Sequence, residues 1–161
     1  MSKSIVVCIK LILSLNATMI VPAQQNSSLS ERIITAVDKK GPGCKFQKKR
    51  ETSSNGYVTY SWKCKSAWVR VITRGYASSA EAAGAFDTMA YDLQVHGLNM
   101  RVIGKDVQSL GDEHYLWEEP SNEKLKGIYF RKNNMVINVM APSIETARVF
   151  ARLIANEISV S

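Results

Sequence analysis

The sequence has few of the residues from which catalytic and metal-binding sites are usually built. Its 161 residues include only three cysteines and two histidines. It contains no Gly-x-Ser-x-Gly elbow, no glycine-rich phosphate loop, and no pair of cysteines or histidines at metal-ligand spacing. These absences disfavour an enzyme without excluding one. We expect neither a cofactor nor a metal site.

Long apolar runs are also missing, except at the N-terminus. A lysine, a mostly apolar run from Ile5 to Val21 and a small residue after it form the layout of a secretory signal peptide. We predict that residues 1–23 are this signal and that residues 24–161 form a single exported domain, either periplasmic or secreted. An uncleaved N-terminal anchor is the alternative. No later segment of the sequence is apolar and long enough to cross a bilayer.

Only two cysteines remain once the predicted signal is removed, Cys44 and Cys64. A single pair of cysteines in an exported domain is most simply explained as one disulfide. Cys44 and Phe46 are two residues apart on one alternating segment, and Trp62 and Cys64 are two residues apart on another. Each cysteine therefore shares a strand face with an aromatic residue. Both sulfur atoms are therefore expected on the apolar, inward face of a hairpin. Two free, buried thiols are the alternative.

Three segments have the periodicity of amphipathic helices. The first begins at the capping box Ser28-x-x-Glu31 and ends at the glycine-proline-glycine turn that starts at Gly41. The second begins at a similar box, Ser78-x-x-Glu81, and the third is SIETARVFARLIANEI near the C-terminus. The stripe that we expect to be buried on the second helix consists of Ala83, Phe86, Ala90 and Leu93.

Between the helices, short segments alternate between apolar and polar residues, as half-buried strands do. Asn55-Gly56 predicts a tight hairpin turn. A second turn, at Asn133-Asn134, would pair Phe130 with Ile137. The pattern indicates an α+β fold, in which three helices pack mainly on one face of an antiparallel sheet of about six to seven strands arranged in hairpins.

The stretch LGDEHYLWEEP, residues 110–120, is the most charged short segment of the chain. It places Asp112, Glu113 and His114 side by side, so that a carboxylate could orient the imidazole as a general base or a metal ligand. Adjacent residues of a strand, however, point to opposite sides of the sheet, which separates Glu113 from His114. A turn that leads into an aromatic strand is therefore the preferred interpretation. A hydrolase that uses these three residues is the alternative.

Basic residues outnumber acidic ones by 21 to 14, and several alternate with aromatic residues on the predicted strands. The parity that buries Phe46 and Trp62 turns other side chains, including Lys45, Lys49 and Tyr57, onto the sheet face away from the helices. Such a face can bind anionic or ring-bearing ligands, although it is also typical of a solvated strand surface. The candidate ligand-binding residues are Lys63, Lys65, Arg70, Arg74, Tyr129 and Arg131.

The last third of the chain contains three short motifs in succession: LGDEHYLW, then GIYFRKNNMVINV, then the helical ARVFARLIANEI. Together they resemble a pattern in small exported bacterial domains of unknown function, in which a Gly-Asp-Glu-x-Tyr turn leads to a strand and an Arg-Lys-x-Asn hairpin. The resemblance implies an extracytoplasmic α+β domain and assigns no catalytic residue. His114 stands where that pattern has a small residue.

These features predict an exported, non-catalytic binding or interaction module. The expected partner is an anionic envelope polymer or another envelope protein, because nucleic acid does not suit an exported protein. A hydrolase and a structural subunit of an envelope assembly are the alternatives.

Overall fold

A computed structural model describes five stretches of the chain, residues 28–52, 56–65, 67–95, 100–104 and 110–159. Three of the features predicted above fall outside these described residues: the signal peptide, the turn residue Asn55 and the side chain of Leu93. The end of the second helix that His96-Gly97 predicts also lies outside them.

Three helices and seven strands make up the described part of the chain. No helix within it is long and apolar enough to cross a membrane. The α+β class predicted from the sequence is confirmed. The elements follow in the order α1 (Leu29–Lys40), β1 (Lys45–Thr52), β2 (Tyr57–Cys64), β3 (Ala67–Gly75), α2 (Ser79–Val95), β4 (Arg101–Gly104), β5 (Glu113–Glu119), β6 (Asn122–Lys132), β7 (Met135–Ala141) and α3 (Ile144–Ser159).

The seven strands form one antiparallel sheet with the strand order β1-β2-β3-β7-β6-β5-β4. The predicted pairing of Phe130 with Ile137 is confirmed. Asn133, in the turn between them, adopts the left-handed φ of 54° that this turn requires. Strand β1 and the four-residue strand β4 are the two edges of the sheet.

Helices cover the two faces of the sheet to different extents. On the inner face, α1 and α3 pack on a continuous apolar cluster that includes Trp62, Ile137 and Phe150. On the outer face, α2 packs Ala82 and Phe86 against the half that β5, β6 and β7 form. The outer side chains of β1 are exposed, whereas those of β2 and β3 range from exposed, as Arg70 is, to buried, as Ser61 is. We call this part of the outer face the open half.

The helix starts follow the capping residues. The Ser28 hydroxyl accepts a hydrogen bond from the backbone N–H of Glu31, and the Glu31 carboxylate accepts one from the backbone N–H of Ser28. At the start of α2, the Ser78 hydroxyl accepts a hydrogen bond from the backbone N–H of Glu81. Helix α1 ends before Gly41, as predicted.

The buried stripe of α2 differs from the predicted one at its first position. Ala82, Phe86 and Ala90 are buried, whereas Ala83 is only half-buried. Ala82 and Phe86 are separated by four residues and therefore lie on the same helix face, which is the face turned to the sheet. The prediction is wrong by one residue at Ala83, because alanines adjacent in sequence do not reveal which of them the helix turns inward.

The predicted disulfide between Cys44 and Cys64 is present, which excludes the alternative of two free thiols. It joins the residue before β1 to the last residue of β2. Phe46 and Trp62 pack beside it in the inner-face cluster. With a sequence separation of 20, a crosslink of this kind stabilises the folded state by roughly 3 kcal/mol in the chain-entropy model.

A β-bulge at Gln47 interrupts the pairing of β1 with β2. Phe46 lies opposite Trp62, but the next paired residue of β1 is Lys48, opposite Ser61. Gln47 is therefore an extra residue without a partner on β2. One extra residue moves every following side chain of the strand to the other face of the sheet.

This bulge decides which basic residues of β1 face outward. Lys48 and Arg50 lie on the outer face, and Lys49 lies opposite Tyr60 on the inner side of the strand. The prediction that Lys49 points outward is wrong for this reason. An uninterrupted alternation from Phe46 would have given the opposite arrangement.

Candidate anion-binding site

A groove crosses the open half of the outer face. Strand β1 contributes two cations to it and β3 contributes one, while β2, between them, contributes hydroxyl side chains. The volume of the groove is about 310 Å³. We call it the basic groove, because the described residues of its lining include three cations and no acid. The lining residues are Lys48, Arg50, Thr59, Ser61, Arg70 and Ile72.

The three cations of the basic groove are exposed and close together. Lys48 and Arg70 lie on either side of Ser61 in one cross-strand row, so their Cα atoms are about two strand spacings, or ~10 Å, apart. Arg50 is two residues further along β1, about 7 Å from Lys48. Like charges at these separations repel each other. An anion placed between them would be stabilised by all three.

A second cavity adjoins the basic groove, where α2 meets the open half. Its volume is about 370 Å³, and it shares Thr59 and Ile72 with the basic groove. Met89 of α2 and Val136 of β7 add apolar walls. We call it the α2 cavity. Its remaining lining residues are polar: Tyr57, Arg74, Tyr76, Tyr129 and Asn138.

Arg74 is held between two tyrosine rings beside the α2 cavity. Its guanidinium carbon lies 5.0 Å from the ring centroid of Tyr57 and 4.7 Å from that of Tyr76. The guanidinium also donates a hydrogen bond of 3.2 Å to the Tyr57 hydroxyl, which raises the pKa of Arg74 above its ordinary value. Two hydrogen bonds between Tyr76 and Asn134 fix the segment that follows β3. Arg74 is thus a positioned, permanent charge with N–H donors left for a ligand.

Tyr129 points to the predicted face of the sheet but is not exposed there. Its ring stacks on Phe86 of α2 at a centroid distance of 4.9 Å, and only 2% of the residue is exposed. The predicted solvent-facing position is wrong, because α2 covers this part of the outer face. The Tyr129 hydroxyl has no hydrogen-bond partner among the described residues. Burial raises the pKa of Tyr129 well above its ordinary value, so that the hydroxyl keeps its proton.

Asn138 lines the α2 cavity with its side-chain amide held in place. The Oδ1 atom accepts a hydrogen bond of 3.1 Å from the indole N–H of Trp117, and the Trp117 ring is fully buried. This bond leaves the Nδ2 hydrogens of Asn138 for a ligand. Together with Arg74 and Tyr129, the cavity therefore offers three separate donor groups.

Arg131 is the second predicted ligand-binding residue that the structure buries. Its side chain is 10% exposed and forms ion pairs with Asp112, at 2.7 Å, and with Glu113, at 3.2 Å. It also donates hydrogen bonds to the hydroxyl of Ser79 and to the backbone carbonyl of Asn133. The predicted outward position is wrong, because these partners on β5, α2 and the β6–β7 turn enclose the guanidinium. Arg131 joins three parts of the fold.

The acidic stretch of the hydrolase alternative lies at the start of β5. Asp112, Glu113 and His114 line a depression of about 230 Å³. Glu113 lies opposite Arg131, on the outer face, and His114 lies opposite Phe130, on the inner face. The two side chains therefore point to opposite faces, as the alternation predicts. Within the described residues, no three His, Cys, Asp or Glu side chains come together as a metal-binding group. Arg131 holds both carboxylates in ion pairs. No observation tests a hydrolase built on these residues, which stays a prediction.

The other predicted ligand-binding residues are distributed over the open half and its end. Arg70 lines the basic groove and Arg74 lines the α2 cavity. The Lys63 Nζ atom lies 5.0 Å from the ring centroid of Trp68, which is 53% exposed. Lys65 is exposed in the turn after β2, with a φ of 51°. Neither lysine lines the groove or the cavity.

Among the residues of the site that sequence reasoning missed are Lys48, Arg50, Tyr76 and Met89. The first two were hidden by the bulge, because the residues of β1 that follow Phe46 are all polar and give no sign of a change of face. The position of Met89, and the closing of a cavity beside Tyr76, depend on where α2 packs. Periodicity identifies a helix but not the part of the sheet that it covers.

Comparison of the chain with protein-family models, with curated proteins and with solved structures finds no match. The resemblance of the last third of the chain to small exported bacterial domains therefore stays a prediction.

Proposed function

We propose that the protein is an exported, non-catalytic binding module that holds an anionic polymer of the cell envelope in the basic groove. The observation that supports this proposal is the clustering of Lys48, Arg50 and Arg70 on an open sheet surface, with no acid among the described residues that line it. Surfaces with one sign of charge attract ligands of the other sign and raise their local concentration.

A polymer suits the basic groove better than a small anion does. Its three cations are spread over roughly 10 Å across the strands, and all three are exposed. A small anion could contact one or two of them, whereas an extended chain with a charge on successive units could contact all three. Exposed single ion pairs are weak, so useful affinity requires several at once.

Two features support a place outside the cytoplasm, the predicted signal peptide and the Cys44–Cys64 disulfide. Disulfides persist mainly in oxidising compartments. A disulfide-containing domain with a cationic face in such a compartment can reach an anionic polymer of the envelope directly.

The direct test is binding of a fluorescently labelled polyuronate, such as polygalacturonate, with neutral dextran as the ligand control. The groove variant K48Q/R50Q/R70Q removes three positive charges from the basic groove. The matched control variant K39Q/K40Q/R152Q removes three exposed charges from α1 and α3, on the other side of the sheet.

We expect the wild-type protein to bind polygalacturonate and not dextran. The groove variant should bind the polyuronate at least about tenfold more weakly, because each cation lost removes one charge contact. The control variant should bind like the wild type. Equal losses in the two variants, or equal binding of dextran, would show that the basic groove is not the binding site.

A further inference from the structure

We infer that the α2 cavity is a second ligand site, specific for a small amphipathic monoanion that has a carboxylate head and an apolar body. Three features of the cavity point to this class of ligand. They are one positioned cation, a buried hydroxyl without a partner, and apolar walls from α2 and the sheet.

The head group is assigned by Arg74, which is the only charged residue among the described residues that line the α2 cavity. One cation balances one negative charge, so a monoanion suits the site better than a dianion. The planar guanidinium matches the two oxygens of a carboxylate. Tyr57 and Tyr76 both contact the guanidinium and hold it in place, which reduces the ordering that binding would otherwise require.

The Tyr129 hydroxyl provides an independent indication of a ligand. A buried polar group without a hydrogen-bond partner destabilises the fold, and such groups are rare in folded proteins. Tyr129 lines the α2 cavity, and its hydroxyl finds no partner among the described residues. An acceptor oxygen of the ligand would satisfy this hydroxyl. The Nδ2 hydrogens of Asn138 offer a second donor on the same cavity.

The apolar body is assigned by the walls and the volume of the cavity. Ile72, Met89 and Val136 form a surface that water solvates poorly. If each non-hydrogen atom takes about the 30 Å³ that a water molecule occupies in the liquid, the cavity of about 370 Å³ holds roughly a dozen of them. Decanoate has this size and this chemistry, and it serves as the probe.

This site goes beyond the polymer proposal, because it uses different side chains. The basic groove acts through Lys48, Arg50 and Arg70, whereas the α2 cavity acts through Arg74, Tyr129 and Asn138. Either site can fail experimentally while the other is confirmed.

The experiment measures decanoate binding by calorimetry, at concentrations below micelle formation, for the wild type and for Tyr129→Phe. Decanol, which keeps the chain but has no charge, is the ligand control. Polygalacturonate binding by Tyr129→Phe, and decanoate binding by the groove variant, are measured in parallel. The melting temperature of each variant is recorded without ligand.

We expect the wild type to bind decanoate at least about tenfold more tightly than decanol, because Arg74 pairs with the carboxylate. Tyr129→Phe should bind decanoate about tenfold more weakly, while its melting temperature stays equal or rises. It should bind polygalacturonate normally, and the groove variant should bind decanoate normally. Absent decanoate binding, equal affinity for decanol, or an unchanged affinity in Tyr129→Phe would overturn the inference and leave the polymer proposal intact.

Discussion

Gly127 lies on β6 directly against the indole ring of Trp117, and no side chain fits between them. A Cβ atom at this position would collide with two ring atoms of Trp117 and with the backbone carbonyl of Val139. Trp117 is fully buried and cannot swing into solvent. We therefore expect Gly127→Ala to lower the free energy of unfolding by about 1–3 kcal/mol through overpacking, measured by urea denaturation.

Gly84 provides the matched control for this substitution. It lies inside α2, is exposed, and has nothing within contact distance of the position that a Cβ would occupy. Alanine is favoured over glycine in a helix interior, so Gly84→Ala should raise the free energy of unfolding by roughly 0.5–1 kcal/mol. If Gly127→Ala were stabilising as well, the close packing of β6 against Trp117 would be contradicted.

Tyr129 should also affect stability on its own, because burial raises its pKa. In the unfolded chain a tyrosine ionises near pH 10, so below this pH both states keep the proton. As the pH rises above about 10, the unfolded state releases its proton first, and unfolding becomes more favourable. Burial raises the pKa of Tyr76 as well, so its effect has the same sign.

We expect Tyr129→Phe to lose less stability than the wild type between neutral and alkaline pH. At neutral pH it should be more stable by about 1 kcal/mol, because the unpartnered hydroxyl is removed. Urea denaturation across the pH range measures both effects. If the curves of the two proteins run parallel through pH 10, Tyr129 is not buried as described.

At the scale of single elements, the bulge of β1 determines the charge of the open half. Gln47 is the unpaired extra residue, and Lys48 already lies opposite Ser61. Deletion of Gln47 should therefore leave the later pairs of β1 in register, since it removes only the residue that the pairing omits. We expect the free energy of unfolding to change by about 1 kcal/mol or less, with polygalacturonate binding retained.

Binding by the Gln47 deletion variant is compared with that of the wild type and of the groove variant. Retained affinity together with a small change in stability supports the bulge. A loss of affinity as large as that of the groove variant would mean that Lys48 and Arg50 no longer face outward, and thus that Gln47 takes part in the pairing.

Helix α2 shows what sequence patterns could not predict. Its start at Ser78 follows from the capping box and its helical character from the periodicity. Neither signal specifies that Phe86 stacks on Tyr129, so that α2 covers the half of the outer face that β5, β6 and β7 form. That arrangement is a long-range packing choice. It buried Tyr129, which was predicted to be exposed, and through Ser79 it helps to enclose Arg131.

At the scale of the whole molecule, the parts predictable from sequence were those fixed by local chemistry. The disulfide and the Phe130–Ile137 pairing follow from period-two parity and turn residues, and both are confirmed. Of the three cations of the basic groove, only Arg70 was predicted as a ligand-binding residue. Arg70 lies on a regular strand, whereas Lys48 and Arg50 follow a bulge that the polar residues after Phe46 conceal.

If the basic groove binds an anionic polymer by direct charge contacts, the affinity for polygalacturonate must depend on salt. We would measure this dependence for the wild type, the groove variant and the control variant, plotted as log Kd against log salt concentration. Each cation that contacts a polyanion adds to the slope of this plot. We expect the slope to fall markedly in the groove variant and to stay unchanged in the control variant. An equal fall in both, or a wild-type affinity independent of salt, would contradict binding by charge contacts in the groove.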